Sequence, residues 1–322
     1  MLSLRLSLSV TVLLVFSAEA IARTPRTAHE FFDRGVLRYS RHDYSGAEAD
    51  FTQAIELATR LNAGKKRSLA SHASQWKSAA ISDPSPAHPA GIRVIDPSIA
   101  PAYGNRALTR LKLGNLTDAL SDCEQAIALN PRDAEAYVHR GAILHAMGDL
   151  EGALADLDKA IAINPESAEA YNNRGNIFRE KRNYCDAIAD FDRAVRANPH
   201  MVESYFNRCI AEVDSGNLDA ALRDSAKVIA MQPEMAFGHV VDATVRLRLR
   251  DLDGAIKDLN LAVRLDPRCI DAYLDRGLVR LFLGKDEKAQ EDFAQALELD
   301  SSVRESLEAR SAKVRAMRSR GD

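Results

Sequence analysis

Seven aspartates stand at equivalent places along the chain: Asp50, Asp122, Asp156, Asp190, Asp224, Asp258 and Asp292. Sixteen residues before six of them stands an arginine: Arg34, Arg106, Arg140, Arg174, Arg208 and Arg276. A row of carboxylates invites an acid–base reading. That chemistry, however, works by giving two carboxylates different surroundings at one site. One residue type in seven equivalent places serves architecture instead. The planar fork of arginine bonds a carboxylate twice, so the pattern predicts a structural ladder of Arg–Asp pairs, within a repeat or between neighbours. The sixth place breaks the rule. Asp242 stands where arginine belongs, with His239 and Arg250 also off-pattern. Asp242 is expected to borrow Arg208 or Arg276 from a neighbour; otherwise two carboxylates lie close and one has a raised pKa. On this reading Asp242→Arg leaves the fold no less stable.

Other chemistry is missing from the sequence. It contains no phosphate-binding glycine loop, paired-histidine zinc motif or nucleophile elbow. The eight histidines are scattered, and His139 and His145 are six residues apart, which sends them to different faces of a helix. Cys123, Cys185, Cys209 and Cys269 lack metal-ligand spacing. Cys123 and Cys209 fall at core positions, so buried thiols are expected; Cys185–Cys209 is the one disulfide worth testing. No catalytic residue, metal or cofactor is predicted. The formal net charge of −3 gives no reason to expect a nucleic-acid partner.

The elements that carry these residues follow a strict period. Pro97, Pro131, Pro165, Pro199, Pro233 and Pro267 are each 34 residues apart, and Tyr103, Tyr137, Tyr171, Tyr205, His239 and Tyr273 keep the same step. A fixed period of this length marks a repeat array. Each repeat reads as two apolar stretches at helical spacing, parted by a turn such as Gly148-Asp149 and ended by Asn-Pro, because proline lacks the amide hydrogen a helix needs. Small residues mark where the helices cross. They are alanine at Ala47, Ala119, Ala153, Ala187, Ala221, Ala255 and Ala289, and Gly35, Ala107, Gly141, Gly175, Cys209, Ala243 and Gly277 at a second place. Phe51, Leu157, Phe191, Leu259 and Phe293 fill the gap beside them.

Period, prolines and small residues together resemble the tetratricopeptide repeat (TPR) family, over residues 28–303 less one insertion. The resemblance implies an all-α, right-handed superhelical solenoid of seven helix hairpins, whose concave groove is lined by the first helix of each repeat. It also implies protein–protein binding and no enzyme activity. On the family's ligand face this sequence places His139, Asn172, Asn173, Asn176, Phe206, Asn207, Ile210, Val240 and Thr244. Asparagine is a mediocre helix former. The four asparagines predict hydrogen bonds to an extended peptide backbone, with Phe206 and Ile210 seating an apolar side chain. The family's carboxylate clamp is incomplete, since Asn172 replaces its lysine, so that ligand is not carried over.

The repeats divide the chain into hairpins at 28–57, 100–133, 134–167, 168–201, 202–235, 236–269 and 270–303. Residues 1–22 read as a secretory signal peptide: Arg5, a short apolar run from Leu6 to Phe16, and small residues at Ala18, Ala20 and Ala22. The run is shorter than the roughly 20 residues of a spanning helix, so no transmembrane segment remains after cleavage. Export follows, to a bacterial periplasm or, as the alternative, by secretion. Residues 58–95 interrupt the first repeat with a net charge of +5 and three prolines; the insertion could meet an acidic partner or a membrane surface. Residues 304–320 predict a capping helix, with Ser302 as its cap, because solenoids need a polar end. The functional expectation is a non-catalytic adaptor that holds a protein or peptide in its groove within an envelope assembly. A structural scaffold acting through its convex surface and basic insertion is the alternative.

Overall fold

Helix geometry follows from the turn chemistry of each repeat. Asp149, Asn183 and Asp251 accept a hydrogen bond from a backbone N–H one turn on, at Gly152, Asp186 and Gly254, and so start a second helix. One residue earlier the chain crosses the left-handed region, at Gly148 with φ 84° and at Arg250 with φ 63°. Glycine carries no Cβ penalty there, and arginine does.

The computed structural model describes residues 25–76 and 99–320. The leader expected at 1–22 and the proline-rich part of the insertion lie outside the described residues. All described elements are helical. In order they are α1 (Ala28–Ser40), α2 (Tyr44–Trp76), α3 (Ala100–Lys112), α4 (Leu116–Leu129), α5 (Ala134–Ala146), α6 (Leu150–Ile163), α7 (Ala168–Glu180) and α8 (Tyr184–Ala197). There follow α9 (Val202–Ser215), α10 (Leu218–Met231), α11 (Ala236–Arg248), α12 (Leu252–Leu265), α13 (Ile270–Phe282), α14 (Asp286–Leu299), a 3₁₀ turn (Ser301–Val303) and α15 (Arg304–Arg320). Two compact units divide at Pro165 and Glu166. The first stacks the hairpins α1–α2, α3–α4 and α5–α6; the second stacks α7–α8, α9–α10, α11–α12 and α13–α14, with α15 against α13.

The helix crossings are dry and tight. The seven crossing alanines, from Ala47 to Ala289, are fully buried. The small residue of each first helix meets the larger residue of its partner helix. A Cβ on Gly35 would lie 2.7 Å from Phe51, on Gly175 2.8 Å from Phe191, and on Gly141 3.0 Å from Leu157. Where the first helix carries Ala243, Leu259 faces it in one core cluster; where it carries Ala107, Cys123 does. A glycine on the first helix leaves room for the largest partners, Phe51 and Phe191, as close packing requires.

Helix α2 runs on past the repeat unit into the insertion, to Trp76, because no proline or glycine pair breaks the sequence there. Ser302 is not the cap of the last helix. It lies inside the 3₁₀ turn, and Asp300 accepts its N–H at 2.8 Å.

Candidate functional site

Each ladder arginine bonds the aspartate of its own hairpin. In the pairs Arg34–Asp50, Arg106–Asp122, Arg140–Asp156, Arg174–Asp190 and Arg208–Asp224, Nε and one terminal nitrogen reach the two carboxylate oxygens at 2.6–2.9 Å. Arg276 holds Asp292 in the same way, with its shortest contact at 2.6 Å. The tyrosine three residues earlier stacks under the guanidinium, 5.4–5.7 Å from ring centre to Cζ, at Tyr103, Tyr137, Tyr171, Tyr205 and Tyr273. A second arginine one turn on reinforces three pairs: Arg38 to Asp50 at 3.1 Å, Arg110 to Asp122 and Arg280 to Asp292 at 2.8 Å. In the fifth repeat that place is Glu212. It is buried, its Oε2 has no hydrogen-bond partner, and burial with the nearby Asp224 charge pushes its carboxyl up to about 7. These groups fix hairpins and offer no open chemistry.

In the sixth repeat Asp242 borrows neither Arg208 nor Arg276; the other alternative holds, with two carboxylates close together and one of them pushed up. The helix of Asp242 itself supplies Arg246, at 2.6 Å, and Ser225 of α10 donates to Asp242 at 2.5 Å. Arg246 also reaches Asp258 and Asp251, both at 2.9 Å. Burial, the hydrogen bond that a protonated Asp258 donates to Asp242 and the charge of Asp242 push the Asp258 carboxyl up to about 6. Asp242→Arg would remove the Ser225 bond and set a cation beside Arg246, so stability is expected to fall.

The ligand-face residues separate into two groups. Asn172, Asn176, Phe206 and Asn207 converge on one pocket of about 410 Å³ in the second unit. Asn172 is buried, and its Oδ1 accepts from Asn207 Nδ2 at 3.0 Å and from Ser204 Oγ at 3.4 Å. It therefore orients Asn207 within the pocket lining. Asn176 has a buried Oδ1 without a partner. Phe206 packs against Phe237 with centroids 5.3 Å apart, and Phe237 is 40% exposed. Asn173, Ile210 and Thr244 do not line the pocket, and the Thr244 hydroxyl is spent on the Val240 carbonyl. Val240 is not a ligand-face residue: it is buried in the core with Leu259 and Val279. His139, in the first unit, is also buried. It packs on Gly104, and burial pulls its pKa down to about 4.

Sequence reasoning missed the rest of the lining: Val202, Glu203, Gln232, Met235 and Phe237. Gln232 and Met235 come from the connection between α10 and α11, outside the ligand-face positions of a first helix. A large apolar residue at Phe237, in a place that is glutamate in repeats three to five, was the available signal. The cysteines remain free thiols, with Cys209 buried and bonded to the Ala221 carbonyl while Cys185 is exposed. Burial pushes Cys123 and Cys209 up to about 12. Among the described residues no metal-binding cluster occurs.

Family models and solved structures agree on what such hairpins are. One family model, described as a TPR repeat, matches residues 141–181; four described as tetratricopeptide repeats match 100–133, 123–155, 172–236 and 270–303. Together they cover more than half of the chain. No curated protein matches it. A tetratricopeptide repeat protein from Parabacteroides merdae has a similar solved structure, with TM-score 0.57 and 20% identity, over 88% of this chain and 98% of that one. PilF of Pseudomonas aeruginosa aligns with TM-score 0.56 and 17% identity, over 63% and 92%. The Cut9–Hcn1 hetero-tetramer of the APC/C aligns with TM-score 0.63 and 17% identity, over 84% of this chain and 46% of that one. At these identities the likeness shows the fold: an all-α solenoid of stacked hairpins. The period, the hairpins and the family matches together place this chain in the tetratricopeptide repeat family.

Proposed function

We propose that the chain is a non-catalytic adaptor that seats a peptide or partner helix in the pocket of its second unit, within a bacterial envelope assembly. The observation that carries this reading is the pocket itself. Val202, Phe206, Met235 and Phe237 give it an apolar floor, and Asn172, Asn176, Asn207 and Gln232 give it an amide rim. Specific ligand sites combine the same elements: apolar burial for affinity and a few fixed polar groups for orientation. Phe237 would anchor such a ligand, since exposed aromatics that gain burial dominate interface energies. The leader at 1–22 supports export. No helix among the described residues is long and apolar enough to cross a membrane.

In-cell crosslinking followed by tagged purification tests this reading. The full chain is compared with Phe206→Ala/Phe237→Ala and with a chain lacking 62–92. A partner lost only with the pocket pair supports the adaptor. A partner that survives the pocket pair and needs the insertion transfers the function to the basic arm and overturns the pocket reading.

A further inference from the structure

The sixth repeat holds a buried Asp242 and a half-buried Asp258 close in sequence and space to residues that line the pocket. His239 occupies the tyrosine place and makes the same bond: its Nε2 reaches the Pro233 carbonyl at 3.2 Å, as Tyr137 reaches the Pro131 carbonyl at 3.4 Å. A carbonyl only accepts, so Nε2 carries the hydrogen. The other ring nitrogen, Nδ1, is buried without a hydrogen-bond partner and faces Asp258 Oδ1 at 3.6 Å. A lone pair then confronts a carboxylate oxygen, and this contact is favourable only with a proton between them. Asp242 and Asp258 meanwhile share the single cation Arg246, which Asp251 also claims.

The arginines nearest on the neighbouring helices are already held. On α9, Cys209 lies within electrostatic reach of Asp242 and of Glu212 and Asp224. Asp224 of α10 is bonded by Arg208, and the same helix carries Arg223, which acts on Glu212, and Lys227, which lies over the Tyr205 ring. On α12, Lys257 acts on Asp251. Arg276 of α13 is held by Asp292 and by the Asn260 amide. Asp242 and Asp258 on the one Arg246 leave an excess negative charge that a bound proton offsets.

Its position gives that proton a consequence. Pro233 lies between Gln232 and Met235, and His239 lies two residues after Phe237. These three neighbours line the pocket. We propose that the sixth repeat is a proton-responsive wall of the pocket: a proton held on Asp258, beside His239 Nδ1 and Asp242, fixes the 232–238 segment, and its loss at higher pH loosens that segment. The inference rests on the pocket reading above, but its test needs no ligand. The sign follows from the carboxyl pushed up by burial: the bound proton stabilises the wall at low pH, and this contribution is lost as pH rises through about 6.

Hydrogen exchange of the full chain, corrected for intrinsic rate, is measured from pH 5 to 7.5 over peptides covering 232–247. Peptides from α7 serve as the internal reference. Protection of the wall relative to α7 is expected to fall at least about fivefold across the range. Asp258→Asn keeps the side-chain shape and removes the titrating group, so its ratio should stay flat. A flat ratio in the unaltered chain, or an equal slope in Asp258→Asn, overturns the proposal while leaving the pocket reading untouched. Should Asp258→Asn lose its fold, Asp242→Asn removes the charge that helps push Asp258 up and should shrink the slope; a slope unchanged in it overturns the proposal.

Discussion

Gly175→Ala probes the tightest principle of the fold. The added methyl would lie 2.8 Å from Phe191 Cε1 and 3.0 Å from Cδ1, where carbon atoms in contact prefer about 3.5–4.0 Å. Phe191 is fully buried, so its ring cannot retreat into solvent. Either the ring leaves its rotamer or α7 and α8 separate, and such overpacking costs about 1–3 kcal/mol. Against it, alanine gains about 1 kcal/mol of helix propensity over glycine. The net effect in the unaltered chain is a loss of about 1 kcal/mol. In a Phe191→Leu background the clash is relieved, as the natural pair Ala243 and Leu259 shows. The same substitution should there stabilise by about 0.5–1 kcal/mol. The double-mutant cycle therefore predicts a coupling of about 1.5–2 kcal/mol, well above the roughly 0.5 kcal/mol expected of independent sites. Native-state hydrogen exchange of α7 and α8 amides is the suitable assay, because it reads the opening of one hairpin in an array. A coupling near zero would refute the account that Phe191 needs glycine opposite it.

Two further outcomes follow from the charges. Glu212→Gln should match the unaltered chain near pH 4.5 and exceed it by about 1–2 kcal/mol near pH 8, because the folded carboxyl titrates above its ordinary value and its contribution is lost as pH rises through about 7; parallel stability–pH curves would clear Glu212 of that role. Asp122→Asn leaves Arg106 and Arg110 facing a neutral amide and should cost about 3–5 kcal/mol in urea unfolding, and a cost below about 1 kcal/mol would show that the ladder acts as an ordinary surface pair.

The sequence by itself determined the repeat, its helices and its turns. The reason is that these depend on local rules applied many times over: a proline that cannot continue a helix, a glycine free to enter the left-handed region, apolar residues at helical spacing. Repetition also separated architecture from site, since Asp122 and its equivalents recur and Asp242 does not. The partner of Asp242 was beyond that reasoning. Arg246 sits four residues away on the same helix and Ser225 on another hairpin, and only packing brings both to one carboxylate. The asparagines were legible as a group, but not their division of labour: Asn172 is buried by the neighbouring helix and gives its acceptor to Asn207. The pocket wall at Gln232 and Met235 was likewise invisible, because a connection between helices has no periodicity to betray which way it faces. Local preference wrote the hairpins; the stacking of one hairpin on the next decided which side chains are free to meet another molecule.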